Sequence, residues 1–465
     1  MIKIQIDSRK CDKGDCYVAI RGNTVDGHDY IQDAINHGAR TVVIDHDIKL
    51  PSTVYKIIVD NTEKWLEDSM IRSYSKDINK MNLIGITGTN GKTTTAYLTY
   101  QLLNRLGSKT AYIGTIGCYI PGMDPIEIPN TTPNIRDLYD LLLTAKENGC
   151  THISMEVSSQ GLDMNRTVGL KFKTGLFTNL TQDHLDYHKT MDNYLNCKLK
   201  MLDQLEGNMI INNDDKYASI WKDKSPRNKT IGFKGEDIKI VSFEDELMGT
   251  RITIKYQGKE YEIHTNLKGE FNVYNYVSTL SIALDQGYTI EQIIEETKNI
   301  YPPKGRCEIV EINDGIAVID YAHTPDAMDK IIDTFNNVKR GRIITIFGCG
   351  GNRDATKRPK MASIATSKSD YCIITNDNPR CEDEELIMKD ILEGVKKDNY
   401  EVIYDRREAI NKALNIMNEN DIVLILGKGH EDYQIIGKTK HHFDDREVVE
   451  EYKKDNIKQL KRKVK

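Results

Sequence analysis

The stretch Gly85-Ile86-Thr87-Gly88-Thr89-Asn90-Gly91-Lys92-Thr93-Thr94 stands between two runs of different pattern. The apolar run Met81 to Ile86 predicts a buried strand, and the spacing of apolar residues from Thr95 to Leu106 predicts a helix. A glycine-rich turn at this junction presents backbone N–H groups and a helix N-terminus to an anion. The spacing departs from G-x-x-x-x-G-K-[ST], because Ile86 occupies a glycine position, and a turn without a ligand is the alternative. Strand, turn and helix together predict nucleotide binding, with Lys92 at the outer phosphates and Thr93 at magnesium.

Length and composition indicate a soluble protein with several domains. A chain of 465 residues predicts about three domains. The 64 Lys and Arg residues against 70 Asp and Glu residues give a net charge of −6, which argues against a nucleic-acid partner. Nine cysteines without a C-x-x-C pair, and a start without an apolar signal segment, predict reduced thiols and a cytoplasmic location. No run reaches the roughly 18 apolar residues of a membrane-spanning helix, so no membrane partner is expected.

The alternation of strand and helix patterns predicts an α/β fold with three domains. Residues 1–79 hold short β-prone runs, one helical stretch and no phosphate turn, which predicts a small α/β domain. Residues 80–303 predict a central doubly wound domain of the P-loop ATPase type, β-rich at 238–265. Pro302-Pro303 is the predicted hinge to a Rossmann-like domain at 304–465. The other predicted strands are 16–20, 41–44, 55–59, 151–157, 174–180, 209–212, 316–319, 342–347, 371–375, 401–404 and 421–426, and the other predicted helices are 30–37, 191–202 and 272–284.

Three polar residues of the central domain are candidates for a cation site. Glu156 ends an apolar strand; alone it would be a solvated carboxylate, but with the phosphate turn upstream we assign it to magnesium. His184 follows the next strand and is a candidate cation ligand, with a hydrogen-bonded structural histidine as the alternative because magnesium prefers oxygen. Lys198, considered by residue type and position alone, is predicted to be a surface lysine.

Three loops of the third domain also follow predicted strands. The first loop, Gly348 to Asp354, contains Arg353. The second is the tetrad Asp377-Asn378-Pro379-Arg380, and the third is Gly427 to Glu431. Each loop alone is more often structural, but the C-terminal ends of strands converge on one pocket in an α/β domain. A forked cation beside an acid and an amide suits a ligand that carries both an ammonium and a carboxylate. The loops therefore predict a pocket for a zwitterion.

Taken together, these motifs resemble the Mur ligases of peptidoglycan synthesis over nearly the whole chain. Within that family they resemble the MurE branch, which adds the third residue to UDP-N-acetylmuramoyl-L-alanyl-D-glutamate. Gly88 to Thr94 resembles the family's ATP loop, and Asp7-Ser8-Arg9, Gly14-Asp15 and Asp26-Gly27-His28 resemble its UDP-binding first domain. The resemblance implies an ATP-dependent ligase that joins meso-diaminopimelate to the D-glutamate γ-carboxylate through an acyl phosphate. It also implies a cytoplasmic monomer whose partners are small molecules.

The resemblance assigns residues to each of the three ligands. Those implied for ATP are Gly88, Thr89, Asn90, Gly91, Lys92, Thr93, Thr94, Asn272, Arg306 and Asp320. Those implied for the nucleotide-dipeptide substrate are Ser8, Asn23, Thr24, Val25, Thr131, Thr132, Ser158 and Arg166, while position 164, often glutamine in relatives, is Met164. Those implied for meso-diaminopimelate are Arg353, Asp377, Asn378, Pro379, Arg380, Gly427 and Glu431. Asn272 and the loop from Asp320 to Pro325 have ordinary alternatives as a helix cap and a proline turn.

The resemblance also changes the assignment of Lys198. Its spacing from His184 matches the lysine that the family carbamylates with carbon dioxide, which turns the side chain into a carboxylate. Carbamylation needs a neutral amine, so the site must lower the pKa of this lysine. Thr93, Glu156, His184 and the carbamate of Lys198 would surround magnesium, and the implied catalytic residues are Lys92, Lys198, His184 and Glu156. His323 is a candidate general base for the attacking amine.

Two other functions stay open at this point. A related ligase that adds L-lysine, or glutamate as in the folylpolyglutamate-type enzymes, would share the ATP loop but should lack Thr131-Thr132-Pro133 and the tetrad at 377–380. A nucleotide-gated binding protein would share the loop but would have no reason to carry a carboxylate-binding third domain.

Overall fold

The computed structural model describes residues 3–22, 25–246, 249–312 and 315–463. Asn23 and Thr24, two of the residues implied for the uridine nucleotide, lie outside this described part. Three successive sheets of four, ten and six strands confirm the α/β class and the three-domain architecture. The boundaries at 79 and 303 remain predictions. Among the described helices, none is both long and apolar enough to cross a bilayer.

The first sheet is small and its neighbouring strands are all parallel. Its strands are β1 (Ile4–Gln5), β2 (Cys16–Val18), β3 (Thr41–Ile44) and β4 (Tyr55–Ile58), and its helices are α1 (Ile31–His37), α2 (Thr62–Met70) and α3 (Lys76–Ile78). One face packs on α1 through Tyr17, Ala34 and Val42. The other face joins an apolar cluster that continues into the central domain, where Val43 and Leu138 belong to the same core. The first domain is therefore anchored on the second by apolar packing.

The central sheet has strand order β14-β13-β12-β11-β10-β9-β5-β8-β6-β7. Its strands are β5 (Asn82–Thr87), β6 (Thr110–Gly114), β7 (Gly117–Tyr119), β8 (His152–Glu156), β9 (Phe172–Phe177), β10 (Leu205–Asn212), β11 (Asn228–Gly232), β12 (Ile238–Glu246), β13 (Gly249–Tyr256) and β14 (Lys259–Thr265). Its helices are α4 (Lys92–Arg105), α5 (Ile135–Glu147), α6 (Ser159–Asp163), α7 (Leu185–His188), α8 (Met191–Leu199), α9 (Ala218–Lys224), α10 (Glu270–Asp285) and α11 (Ile290–Thr297). The chain order reverses at β5, which pairs in parallel with β8 on one side and β9 on the other. Ligands bind at such a reversal, outside the carboxyl ends of the strands.

Gly85 lies inside β5 and is not part of the turn that follows it. A Cβ at this position would lie 2.6 Å from the Met201 side chain and 2.8 Å from the Phe172 ring. The glycine is therefore needed for packing against the neighbouring strand β9, and the phosphate turn itself begins after Thr87. The helix predicted at 191–202 is also shorter than expected, because α8 ends at Leu199 and a 3-10 helix, Lys200–Gln204, follows.

The third sheet has strand order β15-β16-β20-β17-β18-β19 and is parallel except for β15. Its strands are β15 (Glu308–Ile312), β16 (Gly315–Asp320), β17 (Ile343–Phe347), β18 (Tyr371–Ile374), β19 (Tyr400–Val402) and β20 (Ile422–Leu426), followed by a separate hairpin of β21 (Tyr433–Ile436) and β22 (Thr439–His442). Its helices are α12 (Pro325–Asn336), α13 (Arg358–Lys368), α14 (Glu384–Leu392), α15 (Arg406–Ile416) and α16 (Asp445–Lys463). Apolar clusters cover both faces of the sheet. The β-hairpin was not predicted; it packs beside the 377–380 tetrad through a bridge between Arg380 and Ile436.

Candidate active site

The loop between β5 and α4 depends on glycine at two positions. Gly88 and Gly91 have φ values of 143° and 86°, a region that favours glycine. A Cβ on Gly88 would lie 1.9 Å from the Thr178 hydroxyl oxygen, and a Cβ on Gly91 would lie 2.4 Å from the Asn275 side chain. The loop backbone is also fixed, since the N–H of Thr89 donates to the carbonyl of Asn179 at 2.8 Å. The sequence thus builds a rigid turn at the N-terminus of α4, as an anion site requires.

Lys92 extends back over this loop. Its Nζ donates to the carbonyl oxygens of Gly88 at 3.0 Å and Thr89 at 2.7 Å. Burial lowers the pKa of Lys92, although the negative charge of Glu156 opposes that effect. The ammonium group therefore stands at the mouth of the turn, where it can reach a phosphate that the turn holds.

Lys198 is buried, so the prediction of a surface lysine from residue type alone is wrong. It is 1% exposed, and its Nζ donates to the carbonyl of Gly88 at 2.7 Å. The Nζ also lies 4.7 Å from the ring centre of Tyr194. Burial, reinforced by the charge of Lys92, lowers its pKa well below that of free lysine. The solvent-facing lysine of this region is Lys200, which pairs with Asp163 at 2.7 Å, so residue type did not distinguish the two.

Glu156 lies at the end of β8 and is fully buried, which rules out a solvated carboxylate. It accepts hydrogen bonds from Tyr112 Oη at 2.6 Å, from the N–H of Thr115 at 2.8 Å and from Thr93 Oγ1 at 2.9 Å. Gly114 makes room for this cluster, because a Cβ there would lie 2.2 Å from Glu156 Oε1. A buried carboxylate next to a threonine hydroxyl supplies the hard oxygen donors that Mg²⁺ prefers, so these residues fit a magnesium ion. Sequence reasoning missed Tyr112, because nothing in the chain pattern links it to Glu156.

Two histidines approach Asp183 from opposite walls of the cleft. Nε2 of His184 lies 3.5 Å from an Asp183 carboxylate oxygen, and Nε2 of His323 lies 3.8 Å from the same oxygen. Burial lowers the pKa of His184 and lowers that of His323 to about 4, so both rings are neutral at pH 7. Nδ1 of His323 contacts the carbonyl of Tyr321 at 2.8 Å and must donate to it. Its Nε2 is then an acceptor, as a proton-accepting group needs to be.

All of the predicted nucleotide residues except Gly88 line one cavity of about 490 Å³ between the central and third domains. It contains the loop from Thr89 to Thr94 together with Asn272, Arg306 and Asp320. Arg306 stacks on the Tyr321 ring at 4.3 Å and donates to Thr93 Oγ1 at 3.2 Å, so it joins the two domains. Burial raises the pKa of Asp320 to about 6, and its carboxylate accepts the N–H of Cys307. The Asn272 side chain donates from the first turn of α10 to the carbonyl of Lys268, which precedes the helix, so it is engaged as a helix-terminal residue.

A second cavity of about 540 Å³ adjoins the first and holds most of the predicted substrate residues. Those at its wall are Thr131, Ser158, Arg166, Lys198, His184, Arg353, Asp377, Asn378, Arg380, Gly427 and Glu431. Thr132 lies behind this wall, where its Oγ1 donates to the carbonyl of Glu156 and accepts from the N–H of Ser158. Pro379, within the tetrad, is buried and does not line either cavity. Ser8 and Val25 belong to the first domain and line neither cavity.

The end of this cavity that is lined by the 377–380 tetrad and Glu431, here called the amino-acid end, is held together by Lys428, which the sequence analysis did not assign. Lys428 is fully buried, and its Nζ donates to Asn378 Oδ1 at 3.1 Å and to Glu431 Oε2 at 3.2 Å. Asn378 Nδ2 also donates to Glu431 Oε2 at 2.8 Å. Burial, with the nearby charge of Asp377, raises the pKa of Glu431. Arg380 has a φ of 56°, a strained value for this residue type, and its Nη1 donates to the carbonyl of Gly351 at 3.0 Å.

Polar contacts join the central and third domains around the two cavities. Asn90 Nδ2 donates to Asp326 Oδ2 at 2.9 Å, and Gln182 Nε2 donates to Thr356 Oγ1 at 3.0 Å. Lys360 Nζ donates to the Gln182 side-chain oxygen at 2.6 Å. These contacts place the phosphate turn opposite the loops that hold Arg353, the 377–380 tetrad and Glu431, across one cleft.

Comparison with known proteins identifies the family. Three family descriptions match the chain: Mur ligase family, catalytic domain, at residues 3–74; Mur ligase middle domain at 86–283; and Mur ligase, glutamate ligase domain, at 305–429. The chain is 40% identical over 462 residues to the UDP-N-acetylmuramoyl-L-alanyl-D-glutamate–2,6-diaminopimelate ligase of Clostridium botulinum, covering 97% of this chain and 95% of that one. It is 42% identical over 451 residues to the ligase of the same name from Aquifex aeolicus, covering 96% and 92% of the two chains. A solved structure of a ligase of that name superposes with a TM-score of 0.67 at 28% identity, covering 98% of this chain and 95% of that one. This chain therefore belongs to the Mur ligase family.

Proposed function

We propose that this protein is the ATP-dependent ligase that joins meso-diaminopimelate to UDP-N-acetylmuramoyl-L-alanyl-D-glutamate in peptidoglycan precursor synthesis. The observation that carries the proposal is the cavity that Lys92, at the end of the phosphate turn, shares with the loops of Arg380 and Glu431. An anion-binding turn on one wall and paired cations and carboxylates on the other match a reaction between a phosphorylated acid and a zwitterionic amine. The curated relatives at 40% and 42% identity carry the name of this ligase.

The first step transfers the γ-phosphoryl group of ATP to the D-glutamate γ-carboxylate, with ADP leaving. The turn from Gly88 to Gly91 and the ammonium of Lys92 offset negative charge on the transferring group. Magnesium, when bound, would shield the phosphate oxygens, and Thr93, Glu156, His184 and carbamylated Lys198 are the side chains that would hold it. Arg306 and Asp320 would contact the nucleotide from the third domain, and Asn272 would lie next to the base.

Lys198 suits carbamylation because its amine is buried beside a second ammonium. Lys92 and Lys198 both donate to the carbonyl of Gly88, and proximity of the two charges disfavours protonation of both. A neutral Lys198 amine attacks carbon dioxide, forms an N–C bond and releases one proton. The product carries a negative charge, which relieves the repulsion with Lys92.

The second step is attack of the free amine of meso-diaminopimelate on the acyl phosphate, with phosphate leaving and one proton lost from the nitrogen. Arg353, Arg380, Asp377 and Glu431 would hold the amino acid at the third-domain wall. Nε2 of His323 is placed to accept the proton, since its Nδ1 already donates to a backbone carbonyl. On the opposite wall, Thr131, Ser158 and Arg166 would hold the dipeptide, and Thr132 would position Ser158. Ser8 and the segment 23–25 would bind uridine.

Phosphate release measured with an amino-acid panel tests this function. The expected result is release that depends on ATP, magnesium, the UDP-dipeptide and meso-diaminopimelate together. Release with L-lysine or glutamate in place of diaminopimelate would assign the protein to a different ligase activity. Nucleotide binding without release under any combination would favour a nucleotide-gated binding protein.

The proposal includes a cytoplasmic location and a monomeric state. All nine cysteines lie in the described part of the chain and are free thiols, and eight of them are buried. Reduced thiols are typical of a cytoplasmic enzyme. Sedimentation or light scattering would test the monomer.

A further inference from the structure

We propose that Lys428 sets the preference for diaminopimelate over lysine by balancing the charge of the pocket that holds Asn378 and Glu431. The inference rests on the proposed function and concerns the amino-acid end of the same cleft. Lys428 does not line the cavity; it lies behind Glu431, with its charge fully buried. It is therefore a positioning residue that acts through the side chains in front of it.

The contacts of Lys428 fix the geometry of the carboxylate that faces the cleft. Its Nζ lies 3.1 Å from Asn378 Oδ1 and 3.2 Å from Glu431 Oε2. Asn378 Oδ1 also accepts the N–H of Ile435 at 2.9 Å, which orients the amide so that its Nδ2 faces Glu431. The three side chains thus form a closed ring in which Glu431 keeps one oxygen for its partners and the other for a ligand.

The charges at this end of the cleft favour a ligand with one net negative charge. Arg353, Arg380 and Lys428 are three cations, and Asp377 and Glu431 are two carboxylates, which gives a net charge of +1. The other charged groups on this wall compensate one another. They are two acids, Asp354 and Asp432, and two lysines, Lys357 and Lys440, whose charges sum to zero. Burial lowers the pKa of His323 to about 4 and that of His430 to about 3, so these histidines add no charge at pH 7.

Diaminopimelate with its reacting amine neutral carries two carboxylates and one ammonium, and so has one net negative charge. L-lysine in the same state has one carboxylate and one ammonium, and is neutral. Diaminopimelate therefore neutralises the pocket, whereas lysine leaves one buried positive charge uncompensated. Without Lys428 the balance reverses, because the remaining side chains sum to zero and match lysine.

The test is the ratio of kcat/KM for meso-diaminopimelate to kcat/KM for L-lysine. Lys428→Met removes the charge and keeps most of the side-chain volume, while Lys428→Gln also keeps a hydrogen-bond donor for Asn378. A unit charge acting over several ångströms inside a protein shifts such a ratio by roughly tenfold or more. We therefore expect the ratio to fall by at least that factor in both variants. Lys428→Arg keeps the charge and should restore most of the ratio. Lys389→Met, at an exposed lysine of α14, is the matched control and should leave the ratio unchanged.

Glu431→Gln makes the test independent of whether the Lys428 variants fold. It raises the net charge of the pocket, so the ratio should rise even though turnover of both amino acids falls. The inference would be overturned if the ratio stayed at the parent value in folded Lys428→Gln or did not rise in Glu431→Gln. Either outcome would leave the proposed function intact. A parent enzyme that uses neither amino acid would refute the proposed function, and this inference with it.

Discussion

Removing the hydroxyl of Tyr112 should weaken the response of the enzyme to magnesium without changing the fold. Tyr112→Phe deletes the donor 2.6 Å from Glu156 and keeps the ring within the aromatic cluster. Glu156 then retains Thr93 Oγ1 and two donors from Thr115. A hydrogen bond to a charged acceptor contributes about 1.5–3 kcal/mol, and loss of a group that orients a metal-binding side chain lowers metal affinity or activity by about 10- to 100-fold. We therefore expect the magnesium concentration for half-maximal turnover to rise about tenfold or more.

Phosphate release measured over a magnesium titration gives this value directly. Tyr97→Phe is the matched control, because the Tyr97 ring centre lies 5.7 Å from that of Tyr112 and no described residue hydrogen-bonds to its hydroxyl. The control should titrate like the parent. If folded Tyr112→Phe also titrated within twofold of the parent, Glu156 would not act in the magnesium environment through this contact, and the reasoning would be refuted.

Three further substitutions test the other parts of the site. Lys198→Ala should reduce turnover by at least about a thousandfold, because a carboxylate is lost beside the phosphates, and short carboxylic acids but not bicarbonate should restore part of it. Turnover within a few fold of the parent would contradict the carbamate. Lys92→Ala should lose ATP-dependent turnover but still bind the UDP-dipeptide in calorimetry, since the residues proposed to bind uridine lie in the first domain. Loss of both activities would indicate misfolding or a misplaced domain division. Arg380→Ala should lower kcat/KM for diaminopimelate by up to about 10⁴-fold, because the distal carboxylate of the substrate would lose its charged partner, while the affinity for ATP should change little. An unchanged ratio of kcat/KM for diaminopimelate to that for lysine would assign Arg380 a loop-capping role.

The central strands and the phosphate turn could be predicted from local pattern, because each depends on residues near one another in the chain. The apolar run before Gly88 and the helical spacing after Thr94 predicted β5 and α4 to within a few residues. Resemblance to the Mur ligases supplied the carbamate assignment of Lys198, which residue type alone did not, and it narrowed the zwitterion predicted at the tetrad to meso-diaminopimelate. The hairpin of β21 and β22 was missed, since each strand is only four residues long and neither shows the alternation of buried and exposed residues that marks a strand.

The sequence by itself determined the α/β class, the order of the domains, the phosphate turn and the strand ends at which chemistry could occur. These follow from periodicity and from the few residues that a tight turn tolerates. Only the tertiary structure decided that Glu156 is buried under Tyr112, that Lys198 and Lys92 share one carbonyl, and that Lys428 lies behind Glu431. Burial and charge compensation depend on side chains that arrive from distant parts of the chain, so no local pattern contains them. They are also the features on which the proposed carbamate and the proposed preference for diaminopimelate depend.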